Sequence, residues 1–269
     1  EARVDVQLAP QPTAVGALGV NHAFRNIDIT GFGAVQVRDW RYLYAQGRLT
    51  RGGLFAHVFL NTSDAGATYL LRTGIPISDR SRLLVGQLQY EHHLADRSTL
   101  TYGVDAQRTD PRTGGTIYGR FENDDLTDEM GAYVHAQSRI RGVEAVAALR
   151  ADYHSRVAGI VLSPRGALVV EPARGQSIRV TYNRAFGTPT TYDLFLDLLV
   201  DSLRAGGPAL PFAVRALGVP EAGLTFRRTC GSTLGGLCMY SPFASAALGG
   251  PRQPLASDAT QLWDVLVDT

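Results

Sequence analysis

Three observations in the sequence predict an all-β fold, an antiparallel up-and-down meander. Apolar and polar residues alternate with period two from about residue 13 to 187. The alternating runs are about 9–12 residues long, above the usual strand length of roughly 5–6 and right for a tilted membrane strand. Short and longer connections follow one another in turn, as in a meander with tight turns on one rim and loops on the other.

The elements follow in order. Leu84, Leu88 and Tyr90 alternate with Gln87, Gln89 and Glu91. Leu100, Tyr102 and Val104 alternate with Thr99, Thr101, Asp105 and Gln107. Met130, Ala132, Val134, Ala136 and Ile140 share one face of the next run, opposite Gly131, Tyr133, His135, Gln137 and Arg139. Only Arg141 and Gly142 then separate it from a run with Val143, Ala145, Ala147, Leu149 and Ala151 on one face, which is hairpin spacing. Ile178, Val180 and Tyr182 oppose Ser177, Arg179, Thr181 and Asn183. About ten strands are expected. Helical periodicity competes only after Thr190, where Leu194, Leu198 and Leu203 predict a short helix within Tyr192–Gly207.

Connection lengths fix the sides. Leu94–Ser98, Arg141–Gly142 and Pro172–Gln176 are short, Ser155–Gly159 is intermediate, and Asp110–Glu129 and everything after Gly187 are long. This parity places Ile75–Arg80, Asp110–Glu129 and the segment after Gly187 on one outer rim. The faces differ as sharply. One carries Arg139, Glu144, Arg150, Asp152, Arg165 and Arg179, too many charges for a narrow closed barrel to bury. A wide lumen accommodates them, either by pairing across strands or by contact with a plug or ligand. Ala145, Leu149, Leu168, Val170, Ile178 and Val180 belong to the other face, expected to meet lipid.

Composition narrows function by exclusion. A net charge of +1 gives no field to gather nucleic acid, so none is expected as a partner. No apolar run reaches the roughly 18 residues of a spanning helix, which is silent on a β-barrel. No G-x-S-x-G, P-loop, H-E-x-x-H or C-x-x-C motif occurs. Asp152, His154 and Ser155 make a poor triad because Ser155 points away from the other two. His92 and His93 are adjacent and face opposite ways, and the acidic run Glu122–Glu129 lacks a calcium-loop order and reads as a solvated loop. No catalytic residue, metal or cofactor is expected. Cys230 and Cys238 are too few for a structural zinc site; their spacing fits a disulfide-closed loop in an oxidising compartment.

The run SPRGALVVEP followed by SIRVTYNRAFGTPTTYDLF resembles the barrel of TonB-dependent outer-membrane receptors, at Ser163, Pro164, Arg165, Tyr182, Arg184, Phe186, Pro189 and Leu194. Tyr102–Gln107, Gly131–Gln137, Ala148–His154 and Leu54–Gly74 read like further strands of such a receptor, and the resemblance covers roughly residues 15–200. It implies part of a 22-stranded transmembrane barrel in the bacterial outer membrane, with residues 1–187 as barrel strands and 188–269 as a long extracellular loop region. It also implies a plug domain within the lumen, a TonB energy-coupling complex contacted through an N-terminal box, outer-membrane lipid around the wall, and energised uptake of a scarce solute such as a metal chelate, cobalamin, glycan or peptide. Neither plug nor box precedes Glu1 and no aromatic residue ends the chain, so a fragment is expected. In the outer loop, Arg227, Arg228, Tyr240 and Phe243 are the candidate ligand-facing residues, and Arg139, Arg150, Arg165 and Arg179 the candidate lumen-facing ones. A passive porin or adhesin, or a soluble all-β periplasmic protein, is the alternative.

Overall fold

The computed structural model describes residues 1–7, 12–31, 33–204 and 211–219, with short strands at 225–227, 238–240, 254–256 and 266–267; of the side chains of 201–204, 211–214 and those four strands nothing is described. The chain forms one 11-stranded antiparallel sheet. Its path runs β1 (Ala2–Gln7), β2 (Pro12–Thr30), β3 (Gly33–Arg51), β4 (Leu54–Asp64), β6 (Arg82–Ala95), β7 (Ser98–Asp110), β8 (Thr127–Ile140), β9 (Val143–His154), β10 (Ile160–Ala173) and β11 (Gln176–Asn183). Between β4 and β6, the short β5 (Tyr69–Leu70) pairs back onto β3. Every strand of the path pairs with its sequence neighbours, which is a meander with no crossover. Neither β1 nor β11 has a partner on its outer edge among the described residues.

The tight turns after β3, β6, β8 and β10 collect on one rim, whereas the equally short connection from β2 to β3 lies on the other. At Arg141 and Gly142 both φ angles are positive (48° and 81°), the geometry that matches a hairpin to the right-handed twist of its strands. Gly142 takes this conformation freely, whereas Arg141 holds it at some cost. The turn between β10 and β11 is Arg174–Gly175, tighter than the expected Pro172–Gln176, because Pro172 still sits on the strand. β2 and β3 run 19 residues each, longer than the 9–12 the alternation suggested, and so rise beyond their neighbours on the opposite rim.

The two faces differ in crowding. Val15, Ala17 and Val85, on the face that carries the charges, are at most 8% exposed. On the other face Leu88, Val104, Met130, Leu149, Ile178 and Val180 all stand exposed. Side chains crowd on the concave side of a curved sheet, so the wall curls toward its polar face.

An apolar core does exist, and it lies in the connections of the second rim. Val35 and Val37 of β3 pack with Leu70 and Ile77 from residues 65–81, Ile117 and Tyr118 from 111–126, and Phe195 and Leu198 from beyond β11. Backbone bonds tie these segments together: Arg80 N to Arg112 O (2.9 Å) and Asp197 N to Ile117 O (3.0 Å). Together they form a cap over one end of the wall. The helix expected within Tyr192–Gly207 is a single short one, α1 (Thr191–Phe195), with Thr190 and Asp193 exchanging side-chain-to-backbone bonds as a capping box. The chain then extends as β12 (Asp197–Arg204), paired with β13 (Pro211–Leu217). The physical reason is that Leu194, Leu196, Leu198 and Val200 also repeat with period two and all reach the cap core, while Asp197 between them is held by Arg215 of β13.

Candidate functional site: the polar face and the cavity beneath the cap

On the polar face, strand registers bring the charges into rows. Asp105 of β7 stands opposite Gly131 of β8, and Gly131 opposite Asp152 of β9. Arg150 reaches across this row: Nη1 and Nη2 donate to Asp105 (2.7 and 2.9 Å), and Nε donates to Asp152 (2.7 Å). Gly131 makes the reach possible, since a Cβ there would lie 2.7 Å from the Arg150 Cζ and 2.9 Å from an Asp105 oxygen. The same device recurs one strand earlier. The Tyr133 ring lies over Gly103, where a Cβ would meet the hydroxyl at 2.7 Å, and the hydroxyl donates to Gln89 (2.6 Å). Two side chains thus clip alternate strands together by stepping over a glycine.

The four candidate lumen arginines share this face by alternation but divide in two. Arg150 is committed to its two carboxylates, and Arg139 donates to Glu171 (2.8 Å). Arg165 and Arg179 have no ion pair among the described residues. Arg165 instead lines a 620 Å³ depression with Tyr133, His135, Arg184 and Phe186.

A second cavity, of about 400 Å³, lies where the wall meets the cap. The wall supplies Tyr42 of β3, Asn61 and Ser63 of β4, and Thr109 of β7; the cap supplies Asp79, Tyr118 and Tyr192. Trp40 stacks on Tyr42 with ring centroids 5.9 Å apart, and its Nε1 donates to Ser63 Oγ (3.0 Å). The Tyr118 and Tyr192 rings meet at 5.7 Å and 57°, and the Tyr118 hydroxyl donates to Thr191 Oγ1 (3.1 Å). Burial pushes the Tyr118 hydroxyl up from its ordinary range, so it stays a protonated donor, whereas Tyr192 is about half exposed. Asp79 Oδ1 accepts from the Ser81 backbone N–H and hydroxyl, and Oδ2 makes no hydrogen bond among the described residues.

This cavity was not legible in advance. It joins five separated segments, and only the Pro189-Thr190-Thr191-Tyr192 run and the long Asp110–Glu129 connection pointed toward it. The acidic run Glu122–Glu129 does more than face solvent. Glu122 accepts from the Thr113 hydroxyl and the Gly114 N–H, and Asp124 pairs with Arg156. Asp128 pairs with Arg108, and Asp125 is buried. His154 Nδ1 accepts from the Arg156 N–H (3.0 Å) and Ser155 Oγ from the Asp128 N–H (3.0 Å), so both serve the turn after β9.

Of the loop candidates, Arg227 lies on β14 (Thr225–Arg227) and Tyr240 on β15 (Cys238–Tyr240). These strands pair with Thr225 opposite Tyr240 and Arg227 opposite Cys238, and β15 also pairs with β16 (Pro254–Ala256). Arg228, Cys230 and Phe243 lie outside the described residues. Among the described residues no group of His, Cys, Asp and Glu is placed to hold a metal ion.

No curated protein and no solved structure matches this chain. A family model does: TonB dependent receptor-like, beta-barrel, over residues 7–224.

Proposed function

The chain belongs to the TonB-dependent receptor-like β-barrel family, and from that premise we propose that it builds part of the wall and outer cap of an energised solute receptor. The observation that carries this reading is a meander with one face exposed and apolar and the other crowded and charged, lying within the family match. A soluble protein rarely exposes so large an apolar face, whereas a membrane wall requires one. In lipid every backbone group must be paired, so the free edges of β1 and β11 pair with further strands to close the barrel.

In this reading the protein resides in the bacterial outer membrane and works without bond chemistry. The cap captures a scarce solute, such as a metal chelate, cobalamin, glycan or peptide, and a plug domain in the lumen yields when the TonB complex pulls on it. Arg165 and Arg179, which have no ion pair among the described residues, are the wall's contacts to the plug, whereas Arg139 and Arg150 hold strands together. Arg227, Arg228, Tyr240 and Phe243 contact ligand beyond the cap, and Cys230 and Cys238 form a disulfide that orders that segment.

The experiment is uptake by cells expressing the full-length gene product, with the protein traced by membrane fractionation. The expected result is an outer-membrane protein whose solute uptake disappears when TonB is deleted. Recovery in the soluble fraction, or uptake indifferent to TonB, overturns the proposal.

A further inference from the structure

We infer that the 400 Å³ cavity between wall and cap is a saccharide subsite, taking one or two neutral sugar rings of the transported solute. This rests on the receptor reading and gives it a substrate class. The volume lies at the low end of ligand-sized pockets, roughly 300–1,000 Å³, which suits a sugar unit and is small for a macrocycle.

The lining chemistry points the same way. The polar groups turned to the cavity are neutral hydroxyls and one amide, from Tyr42, Asn61, Thr109, Tyr118 and Tyr192, with the Asp79 carboxylate among them. Arg82 also lines the cavity, but by alternation it belongs to the apolar face of β6. An anionic chelate calls for guanidinium or ammonium groups. Here it would meet the unpaired Oδ2 of Asp79 instead. A sugar hydroxyl donates well to such an oxygen, and its neighbours find the Asn61 amide and the Tyr192 hydroxyl, which makes no hydrogen bond among the described residues. Ring faces are also available: Tyr192 and Tyr42 are about half exposed, Tyr192 backed by the buried Tyr118 ring at 57° and Tyr42 braced from behind by Trp40. Flat aromatic faces beside fixed polar groups suit the alternating C–H and O–H surfaces of a pyranose.

Trp40 supplies the readout, because it touches Tyr42 and bonds to Ser63 in the lining. The full-length receptor in detergent is titrated with maltose, cellobiose and xylobiose, and separately with cyanocobalamin, a ferric catecholate and a tripeptide, while tryptophan emission is followed. At least one saccharide is expected to change the emission saturably, and Trp40→Phe to abolish the change. Tyr192→Ala should weaken that binding about tenfold and Asp79→Asn about fivefold, within the range of single contacts at a well-packed site. Because Tyr192→Ala removes a cap side chain, Asn61→Ala on the wall serves as the second variant, with an expected loss of about fivefold. Absence of saccharide binding, or binding indifferent to Tyr192→Ala, Asp79→Asn and Asn61→Ala alike, overturns the subsite. TonB-dependent uptake of a non-saccharide solute alone overturns it while leaving the receptor reading standing. TonB-independent uptake of every solute removes the reading beneath it.

Discussion

The wall of the sheet and the cap above it use apolar residues in opposite ways. In the wall, Leu88, Val104, Leu149 and Val180 stand exposed, and what the wall encloses is charged. In the cap, Val35, Leu70, Ile77, Tyr118, Phe195 and Leu198 are buried against one another as in any water-soluble fold. One chain therefore answers to two solvents. The wall is held by its hydrogen-bond ladder, by polar clips such as Arg150 with Asp105, and, in the proposed membrane setting, by lipid against its outside. The cap is held by the hydrophobic effect. A substitution that is harmless in one region should be damaging in the other.

The largest effect is expected in the cap. Leu198 is 1% exposed at the centre of its core, and Leu198→Ala removes buried methyl groups that little can replace. The expected cost is about 4 kcal/mol. It should appear as lost hydrogen-exchange protection in residues 65–81, 111–126 and 191–200, with protection of β6–β11 kept. Loss of protection in both regions would show that wall and cap are one cooperative unit.

Next comes the wall's outer face. Leu149→Arg places a charge where lipid is expected and should cost roughly 3 kcal/mol in a folding titration in lipid vesicles. Its neighbour Ala148→Glu carries a charge too, but points to the polar face opposite Arg165 and should change stability by less than about 0.5 kcal/mol. Equal costs at the two positions would dissolve the distinction between the faces. A smaller loss, about 2 kcal/mol, is expected for Gly131→Val, whose side chain would displace Arg150 from Asp105 and leave the carboxylate without its bidentate partner. The same unfolding titration checks it, and Asp105→Asn combined with Gly131→Val should cost little more than Gly131→Val alone.

How much of this the sequence disclosed follows the same divide. In the wall, period two is both the sequence signal and the structure, so the antiparallel meander was readable from alternation. What alternation could not supply was pairing at a distance. That Gly131 and Gly103 exist to be stepped over by Arg150 and Tyr133 depends on register across three strands. In the cap, period two and period 3.6 coincide at Leu194 and Leu198, and only pairing with Pro211–Leu217 decided for a strand. The cavity required five segments to meet, and no local pattern encodes that meeting.

The smallest effect is a pH dependence confined to the cap. Asp125 is 4% exposed, and its Oδ2 has no hydrogen-bond partner among the described residues. Burial, reinforced by the nearby Glu122 charge, pushes its carboxyl up to about 6. A carboxyl raised in the folded state binds its proton more tightly there than in the unfolded chain. The cap is therefore most stable below the unfolded value near 4, loses stability as pH rises toward about 6, and levels off above that. Asp197 acts in the opposite sense. Burial would raise it too, but Arg215 and the Arg120 N–H hold it below the usual carboxylate range, so its contribution is present at neutral pH and fades in acid. The two are separable by Asp125→Asn, which keeps the shape and removes the charge. It should stabilise the cap by about 1–2 kcal/mol at pH 8 and by nearly nothing at pH 4. Hydrogen exchange of residues 111–126 at the two pH values measures this. An equal effect at both would mean that the Asp125 carboxylate finds a partner when the proton leaves, and the cap would then have no acid-side gain in stability.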